Sequence, residues 1–268
     1  MITEKYRAAV IQNMPLYNTE ESIDAALNLV EQAASSADLI VLPEMFTTPY
    51  ELVRMQQVSQ YSPAALQKLK AAASRYSVII CSGSLPVQRD KKLTNRSYLI
   101  DDSGHVVYEY DKCHLFDVQL SELTVSESKF FAAGNSVSSV ETQLGRIGIS
   151  ICYDIRFPEP ARKMTLQGMQ LMCVPAAFSE TTGKAHWHTV MRARAIENQI
   201  YLCAASPAYN KKSSYPAYGH SLIVNPWGEV IAEAGRDEEI IYADIDPALI
   251  SKVRRQLPLL KHRRPELY

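Results

Sequence analysis

Short apolar runs alternate with amphipathic stretches along most of the chain, a pattern typical of α/β proteins. Nearly continuous apolar runs predict strands that are buried on both faces. We predict strands or strand pairs over 6–12, 38–43, 78–85, 97–111, 136–151, 170–177, 200–206, 218–224 and 229–244. Apolar residues at helical spacing predict helices over 19–36, 62–75, 158–167 and 184–199.

Turn and cap signals support these boundaries. Asn18 or Thr19 is suited to cap the first helix, and Ser62 is suited to cap the second, with Pro63 at its first position. An Asp-Ser-Gly turn divides the hairpin at 97–111, and Asn-Pro-Trp-Gly at 225–228 separates two strands. Neither a repeat nor a linker interrupts the pattern, so we predict one domain over residues 1–268, with stacked sheets and helices outside them.

Composition and charge exclude several classes of protein. The 268 residues are 47% hydrophobic, which excludes a disordered chain. The 28 basic and 29 acidic residues leave a formal charge of −1, so nucleic acid is not an expected partner. The apolar runs are far shorter than the roughly 18 residues of a membrane span. The N-terminus lacks the apolar segment of a signal peptide. We therefore expect a soluble, cytoplasmic protein.

The five cysteines are spaced without any C-x-x-C pair, so we expect free thiols in a reducing compartment. Cys81, Cys173 and Cys203 lie inside apolar runs and are expected to be buried hydrophobic residues. Cys152 differs, because it ends a strand just before a polar turn and a helix that begins at Pro158. Such a corner is expected to expose the thiol and lower its pKa, which favours a nucleophile. The alternative is another buried cysteine.

Three charged residues have both a functional and a solvated interpretation. Glu44 follows an apolar run and Pro43, where a partly buried carboxylate could be a general base or simply a solvated loop end. Lys112 follows a strand and Glu127 lies in a polar loop, so solvated side chains are the default for both.

Metal and nucleotide motifs are absent from the sequence. It contains no P-loop, no dinucleotide-binding glycine pattern and no H-E-x-x-H. His186 and His188 form an H-x-H pair, but two residues apart on a helix they point to different faces, and no neighbouring third ligand is evident. We expect no metal and no cofactor.

Three segments together resemble the signature motifs of the nitrilase, or carbon–nitrogen hydrolase, superfamily. They are LPEMF (42–46), YDKCHLFD (110–117) and ICYDIRFPE (151–159). The resemblance implies a four-layer α-β-β-α sandwich and a catalytic triad of Glu44, Lys112 and Cys152. It also implies a homodimer in which the tail at about 254–268 takes part.

Segments 181–208, 218–235 and 254–268 resemble the ω-amidase branch of this superfamily. Those enzymes hydrolyse the terminal amide of α-ketoglutaramate and α-ketosuccinamate. Two features depart from the branch: the stretch 118–128 is one residue shorter and lacks the usual Pro-Gly, and Lys184 stands where proline is expected. Alternatives are another branch (a deaminated glutathione amidase, an N-carbamoyl amidohydrolase or a nitrilase) and a non-catalytic binding subunit.

The resemblance assigns a role to each candidate residue. Cys152 would attack the amide carbon, and Glu44 would act as general acid and base. Lys112 and the backbone N–H of Tyr153 would stabilise the oxyanion, and Glu127 would be a supporting carboxylate.

Substrate binding is expected to involve a cation, because the substrate ends in a carboxylate. Arg156 is the candidate, with an ion pair to Asp154 or Glu159 as the alternative interpretation. Thr181, Thr182 and Tyr215 (or Tyr218) are further candidates for hydrogen bonding to the substrate.

Overall fold

Two mixed β-sheets lie face to face at the centre of the molecule, a computed structural model that describes residues 4–119 and 124–267. Across the described residues, the strands β1 to β15 are Tyr6–Gln12, Leu39–Val41, Ile79–Cys81, Leu85–Arg89, Lys92–Ile100, Val106–Asp111, Asp117–Gln119, Thr124–Ser126, Ser139–Thr142, Gly145–Ile149, Leu171–Pro175, Tyr201–Ala205, Leu222–Val224, Val230–Glu233 and Glu239–Ile245. The helices α1 to α6 are Thr19–Ala34, Met55–Val58, Ser62–Tyr76, Pro158–Leu166, Glu180–Asn198 and Pro247–Gln256.

Each sheet is built around three parallel strands. The first has the order β15-β1-β2-β3-β5-β4, with β6 also paired to β5, and β1, β2 and β3 run parallel. The second has the order β14-β13-β12-β11-β10-β9, with β10, β11 and β12 parallel. Strands β7 and β8 pair antiparallel and form a separate two-stranded sheet.

Alternation along the central strands places apolar residues on both faces of each sheet. In β1, Ala8 and Val10 face the core between the sheets, while Ala9 and Ile11 pack with helices α1 and α3. Helices α4 and α5 cover the outer face of the second sheet, with Trp187 of α5 fully buried. The predicted α-β-β-α sandwich is therefore confirmed.

Several predicted boundaries are wrong for identifiable reasons. The predicted strand 78–85 ends at Cys81, because Gly83 makes a turn at φ +69°, and the strand that begins at Leu85 was not predicted. Helix α5 begins at Glu180 rather than at 184, capped by Ser179. Ser62 is not an N-cap, because its hydroxyl donates to the carbonyl of Pro86. Helix α6, capped by Asp246, was missed.

Two further expectations are confirmed. Asn18 caps α1 by accepting from two backbone N–H groups, and all five cysteines are free thiols. Residues 120–123 of the shortened segment lie outside the described residues. Among the helices of the described chain, none combines the length and apolar character that a bilayer span requires.

Candidate active site

Glu44 lies three residues beyond the end of β2 and is fully buried. The turn that carries it includes Met45 at φ +51°. Its Oε1 accepts hydrogen bonds from Lys112 Nζ and from Asn95 Nδ2, both at 2.8 Å. The solvated interpretation of Glu44 is therefore wrong, and the carboxylate is held at a defined position inside the protein.

Lys112 follows β6 directly and its side chain is completely buried. Its ammonium donates to Glu44 Oε1 and to both oxygens of Glu127, at 3.1 and 2.9 Å. Burial alone would lower the pKa of Lys112, but the charges of Glu127 and Glu44 raise it well above its ordinary value. Lys112 is therefore a permanent cation, not a solvated strand-end lysine.

Glu127 lies in a single 3₁₀ turn after β8 and is also fully buried. Besides Lys112, its carboxylate accepts from the backbone N–H of Phe116 at 2.6 Å and from Asn95 Nδ2 at 3.2 Å. These contacts orient it against the ammonium, so the solvated-loop interpretation is wrong here too.

Cys152 occupies the predicted corner between a strand and a helix, but it is not exposed. It follows β10, adopts φ +47° and is only 7% accessible. Its pKa is raised well above the ordinary value, first by burial and then by the charge of Glu44, although Lys112 acts in the opposite direction. The expected exposure and lowered pKa are therefore wrong, and the resting sulfur is a thiol.

Glu44 is the base within reach of that thiol. Burial raises the pKa of Glu44, while the neighbouring Lys112 opposes the rise, and the Cys152 thiol interacts with the same carboxylate. Glu44 Oε2 has no hydrogen-bond partner among the described residues. Glu44 and Glu127 thus share the Lys112 ammonium, and Glu44 Oε2 is available to accept a proton.

Two residues that sequence reasoning did not select hold this cluster together. Asn95, a polar residue inside the apolar pattern of β5, donates to both Glu44 and Glu127. Asp154, considered only as a partner of Arg156, accepts instead from Tyr110 Oη and from the backbone N–H of Ile151. A polar residue at a buried strand position was the only available signal for Asn95.

A small cavity opens above the sulfur. It is lined by Cys152, Phe116, Tyr153, Arg156, Phe178, Thr182 and Tyr215. Thr182 and Tyr215 both line the cavity, and the Tyr215 hydroxyl donates to the carbonyl of Ala177. Thr181 and Lys184 are exposed on α5 and do not line this cavity.

Arg156 lies at the cavity without an ion pair to a carboxylate among the described residues. Its Nη1 lies 3.0 Å from His186 Nδ1, and its guanidinium lies 4.5 Å from the ring centre of Phe178. The alternative of an ion pair with Asp154 or Glu159 is therefore wrong. A cation beside a thiol and without an acidic partner is suited to bind an anionic ligand.

The two histidines of the H-x-H pair contact different residues, as their spacing on helix α5 predicts. His186 reaches Arg156, whereas His188 lies beside Glu233 and His220. The expectation of no third metal ligand near this pair is wrong for His188, because His220 and Glu233, which are distant in sequence, lie beside it.

Comparison with known proteins identifies the same family that the sequence motifs resemble. Residues 7–255 match the carbon-nitrogen hydrolase family model. The human protein "Omega-amidase NIT2" is 38% identical over 266 residues, covering 98% of this chain and 96% of its own.

Solved structures agree with this result. Nit3 of Saccharomyces cerevisiae, described as a member of branch 10 of the nitrilase superfamily, is 35% identical, with a TM-score of 0.89 and 97% of both chains covered. The C. elegans NitFhit protein is 33% identical, with a TM-score of 0.93, over all of this chain and 67% of its own. The chain therefore belongs to the carbon-nitrogen hydrolase family.

Proposed function

We propose that this protein is an ω-amidase, which hydrolyses the terminal amide of short dicarboxylic acid monoamides to the acid and ammonia. α-Ketoglutaramate and α-ketosuccinamate are the proposed substrates. The observation that carries the proposal is the convergence of the Cys152 thiol, the Glu44 carboxylate and the Lys112 ammonium beneath a cavity that also presents Arg156. The name of the human relative supports the substrate class.

The first step is attack of Cys152 on the amide carbon. Because burial and Glu44 keep the sulfur protonated at rest, the proton has to leave as the sulfur–carbon bond forms. Glu44 Oε2 is the acceptor, acting as a general base. This coupling avoids a free thiolate buried beside a carboxylate.

The tetrahedral intermediate carries its negative charge on the former amide oxygen. Lys112 is the proposed donor to that oxygen, with the backbone N–H of Tyr153, next to the nucleophile, as the second. One such donor is worth about 3–4 kcal/mol in the transition state. Glu127 and Asn95 hold the ammonium and Glu44 in place, so little reorganisation accompanies the charge.

Collapse of this intermediate breaks the carbon–nitrogen bond. Glu44 returns its proton to the departing nitrogen, which leaves as ammonia, and Cys152 is left as a thioester. Glu44, again ionised, then takes a proton from water. The water oxygen attacks the thioester, the acid forms, and the proton returns to sulfur.

Arg156 accounts for the preference for an acidic substrate. The far carboxylate of a dicarboxylic monoamide needs a cation when it loses water, and Arg156 has no carboxylate partner within the described residues. The ring of Phe178 and the imidazole of His186 hold the guanidinium at the cavity. Thr182 and Tyr215 line the same cavity, where they are proposed to contact the substrate.

The first experiment measures ammonia release from α-ketoglutaramate, with glutamine and a simple nitrile assayed in parallel. We expect turnover of the keto-amide by the wild type and none by Cys152→Ala. Cys113→Ala is the matched control, because Cys113 is a second free, partly exposed thiol that is not part of the cavity lining.

Each alternative function has its own outcome. Release of carbon dioxide together with ammonia from an N-carbamoyl compound would indicate an N-carbamoyl amidohydrolase, and turnover of the nitrile would indicate a nitrilase. Activity on deaminated glutathione but not on α-ketoglutaramate would indicate a deaminated glutathione amidase. A folded protein that turns over none of these compounds would be a binding subunit.

We also propose that the chain, as one domain, forms a homodimer and works in the cytoplasm. A groove lined by Pro158, Leu166, Glu197 and Arg263 lies where α4, α5 and the C-terminal tail meet. The exposed apolar side chains of Leu166 and Ile196 on these helices support burial by a second copy. Free cysteines agree with a reducing compartment. Light scattering tests the dimer, and fractionation of the source cells tests the location.

A further inference from the structure

Three side chains outside the candidate active site converge at the surface of the second sheet. His188 Nε2 lies 2.8 Å from Glu233 Oε1, and His220 Nδ1 lies 3.1 Å from the same oxygen. These three donor atoms all lie within 4.8 Å of one another. They come from α5, from the loop before β13 and from the end of β14.

The arrangement matches the ligand set of a transition-metal ion. Two imidazole nitrogens and one carboxylate oxygen are a typical protein set for Zn²⁺, which usually adds water as its fourth ligand. With zinc–ligand distances of about 2.0–2.2 Å, ligand atoms around a tetrahedral ion lie about 3.3–3.6 Å apart. The observed separations of 2.8 and 3.1 Å need only a small outward adjustment.

The backbone of His220 is held in place before any ligand arrives. His220 adopts φ +55°, a conformation that is uncommon for residues other than glycine. Its N–H donates to the Gly235 carbonyl at 3.0 Å, and its own carbonyl accepts from Trp187 Nε1 at 2.6 Å. Its ring stacks on Tyr218, with 4.5 Å between ring centres. An ion would therefore meet a ring whose position is already restricted.

The site is also open to water. The side chains of His188 and Glu233 are each 36% exposed, and that of His220 is 26% exposed. Each imidazole can carry its remaining proton on the nitrogen that faces away from Glu233. Solvent can therefore supply the remaining ligand and mediate the move of each proton to that nitrogen.

We propose that His188, His220 and Glu233 form a binding site for a divalent zinc-class ion, separate from the Cys152 cavity. The ion would join α5 to β14 and stabilise the fold. The same helix carries Thr182 and His186, which lie at the cavity and beside Arg156. The proposal does not depend on the substrate of the enzyme.

The test titrates Zn²⁺ into untagged, chelator-treated protein by calorimetry. We expect one site per chain in the wild type and a higher melting temperature with Zn²⁺ present. Glu233→Gln and His220→Asn should each weaken binding by at least about 10-fold. Both variants retain hydrogen-bonding capacity, and asparagine tolerates the backbone of residue 220. His105→Asn is the matched control, because His105 faces one carboxylate, Asp101, at 3.7 Å.

Two measurements distinguish zinc binding at this site from zinc binding to a cysteine thiol. Zinc binding that persists in Cys152→Ala and a Co²⁺ spectrum without a thiolate charge-transfer band would support the histidine site. Loss of binding in Cys152→Ala, or unchanged affinity in both Glu233→Gln and His220→Asn, would overturn it. Absence of binding to the wild type would show that Glu233 only accepts two hydrogen bonds, and this too would overturn the proposal.

Discussion

The hydroxyl of Tyr110 donates to Asp154 Oδ2 at 2.7 Å, and this bond joins the strand before Lys112 to the turn that carries Cys152. The same carboxylate accepts from the backbone N–H of Ile151 at 3.1 Å. Its other oxygen accepts from the backbone N–H of His114 at 2.8 Å. Asp154 thus fixes the nucleophile and the proposed oxyanion cation relative to each other, although it does not line the cavity.

Replacing Asp154 with asparagine should disturb both sides of this contact. The asparagine NH₂ group would face a donor, so at least one buried group loses its partner, at a cost of about 1–3 kcal/mol in the free energy of unfolding. We expect kcat to fall by more than 10-fold, with a smaller change in KM. Urea unfolding and steady-state kinetics measure the two effects. Tyr110→Phe, which removes one hydrogen bond, is the milder control, and an unchanged kcat in Asp154→Asn would contradict a positioning role.

Arg156→Gln should raise KM for α-ketoglutaramate much more than for a neutral short amide, because only the former has a carboxylate to bind. We expect Arg156→Lys to recover part of the affinity, since it keeps the charge but loses the two-pronged geometry of the guanidinium. Arg236→Gln is the control, because Arg236 is exposed and paired with Glu180. Equal increases in KM for both substrates would show that Arg156 does not recognise the carboxylate.

The pH dependence of kcat/KM should report the buried carboxylate. Burial raises the pKa of Glu44, and the protonated acid cannot accept a proton from Cys152. Activity should therefore fall as the pH decreases, with an apparent pKa above the ordinary value of about 4.3. An acid limb at or below that value would contradict a buried general base.

The thiol of Cys152 should stay protonated at neutral pH in the free enzyme. Its pKa is raised by burial and by Glu44, so thiolate absorbance in the ultraviolet should appear only well above the ordinary cysteine value of about 8.5. The difference spectrum between wild type and Cys152→Ala isolates this one sulfur. Thiolate absorbance at pH 7 would instead indicate a preformed ion pair with Lys112.

Gly83→Ala should destabilise the protein and move Glu44. Gly83 has φ +69°, and a Cβ atom there would lie 2.2 Å from the carbonyl oxygen of Pro43. Since Pro43 precedes Glu44, relief of that clash shifts the proposed base. We expect a loss of about 1–3 kcal/mol in stability together with a lower kcat. Gly235→Ala, where the nearest atom to a Cβ lies at 4.0 Å, is the control.

Hydrophobic patterning predicted the central strands of the two sheets and the helices α1, α3, α4 and α5, because burial on one or both faces leaves a period in the sequence. The prediction failed at Gly83, because a turn interrupts the apolar run there. It also failed at the start of α5, because the Ser179 cap begins that helix before its apolar period is apparent. Glu44, Lys112 and Cys152 could be selected because each is a chemically distinctive residue after a strand, within a recognisable motif.

Local sequence therefore determined the order of the motifs, the α/β architecture and the choice of candidate residues. Only the tertiary structure decided their environment. Burial made Cys152 a high-pKa thiol instead of an exposed thiolate, and it placed Lys112 between two carboxylates. Asn95 and Asp154, and the meeting of His188 with Glu233, depend on contacts between distant segments. No local period encodes such contacts, because desolvation and charge pairing arise only when the sheets pack.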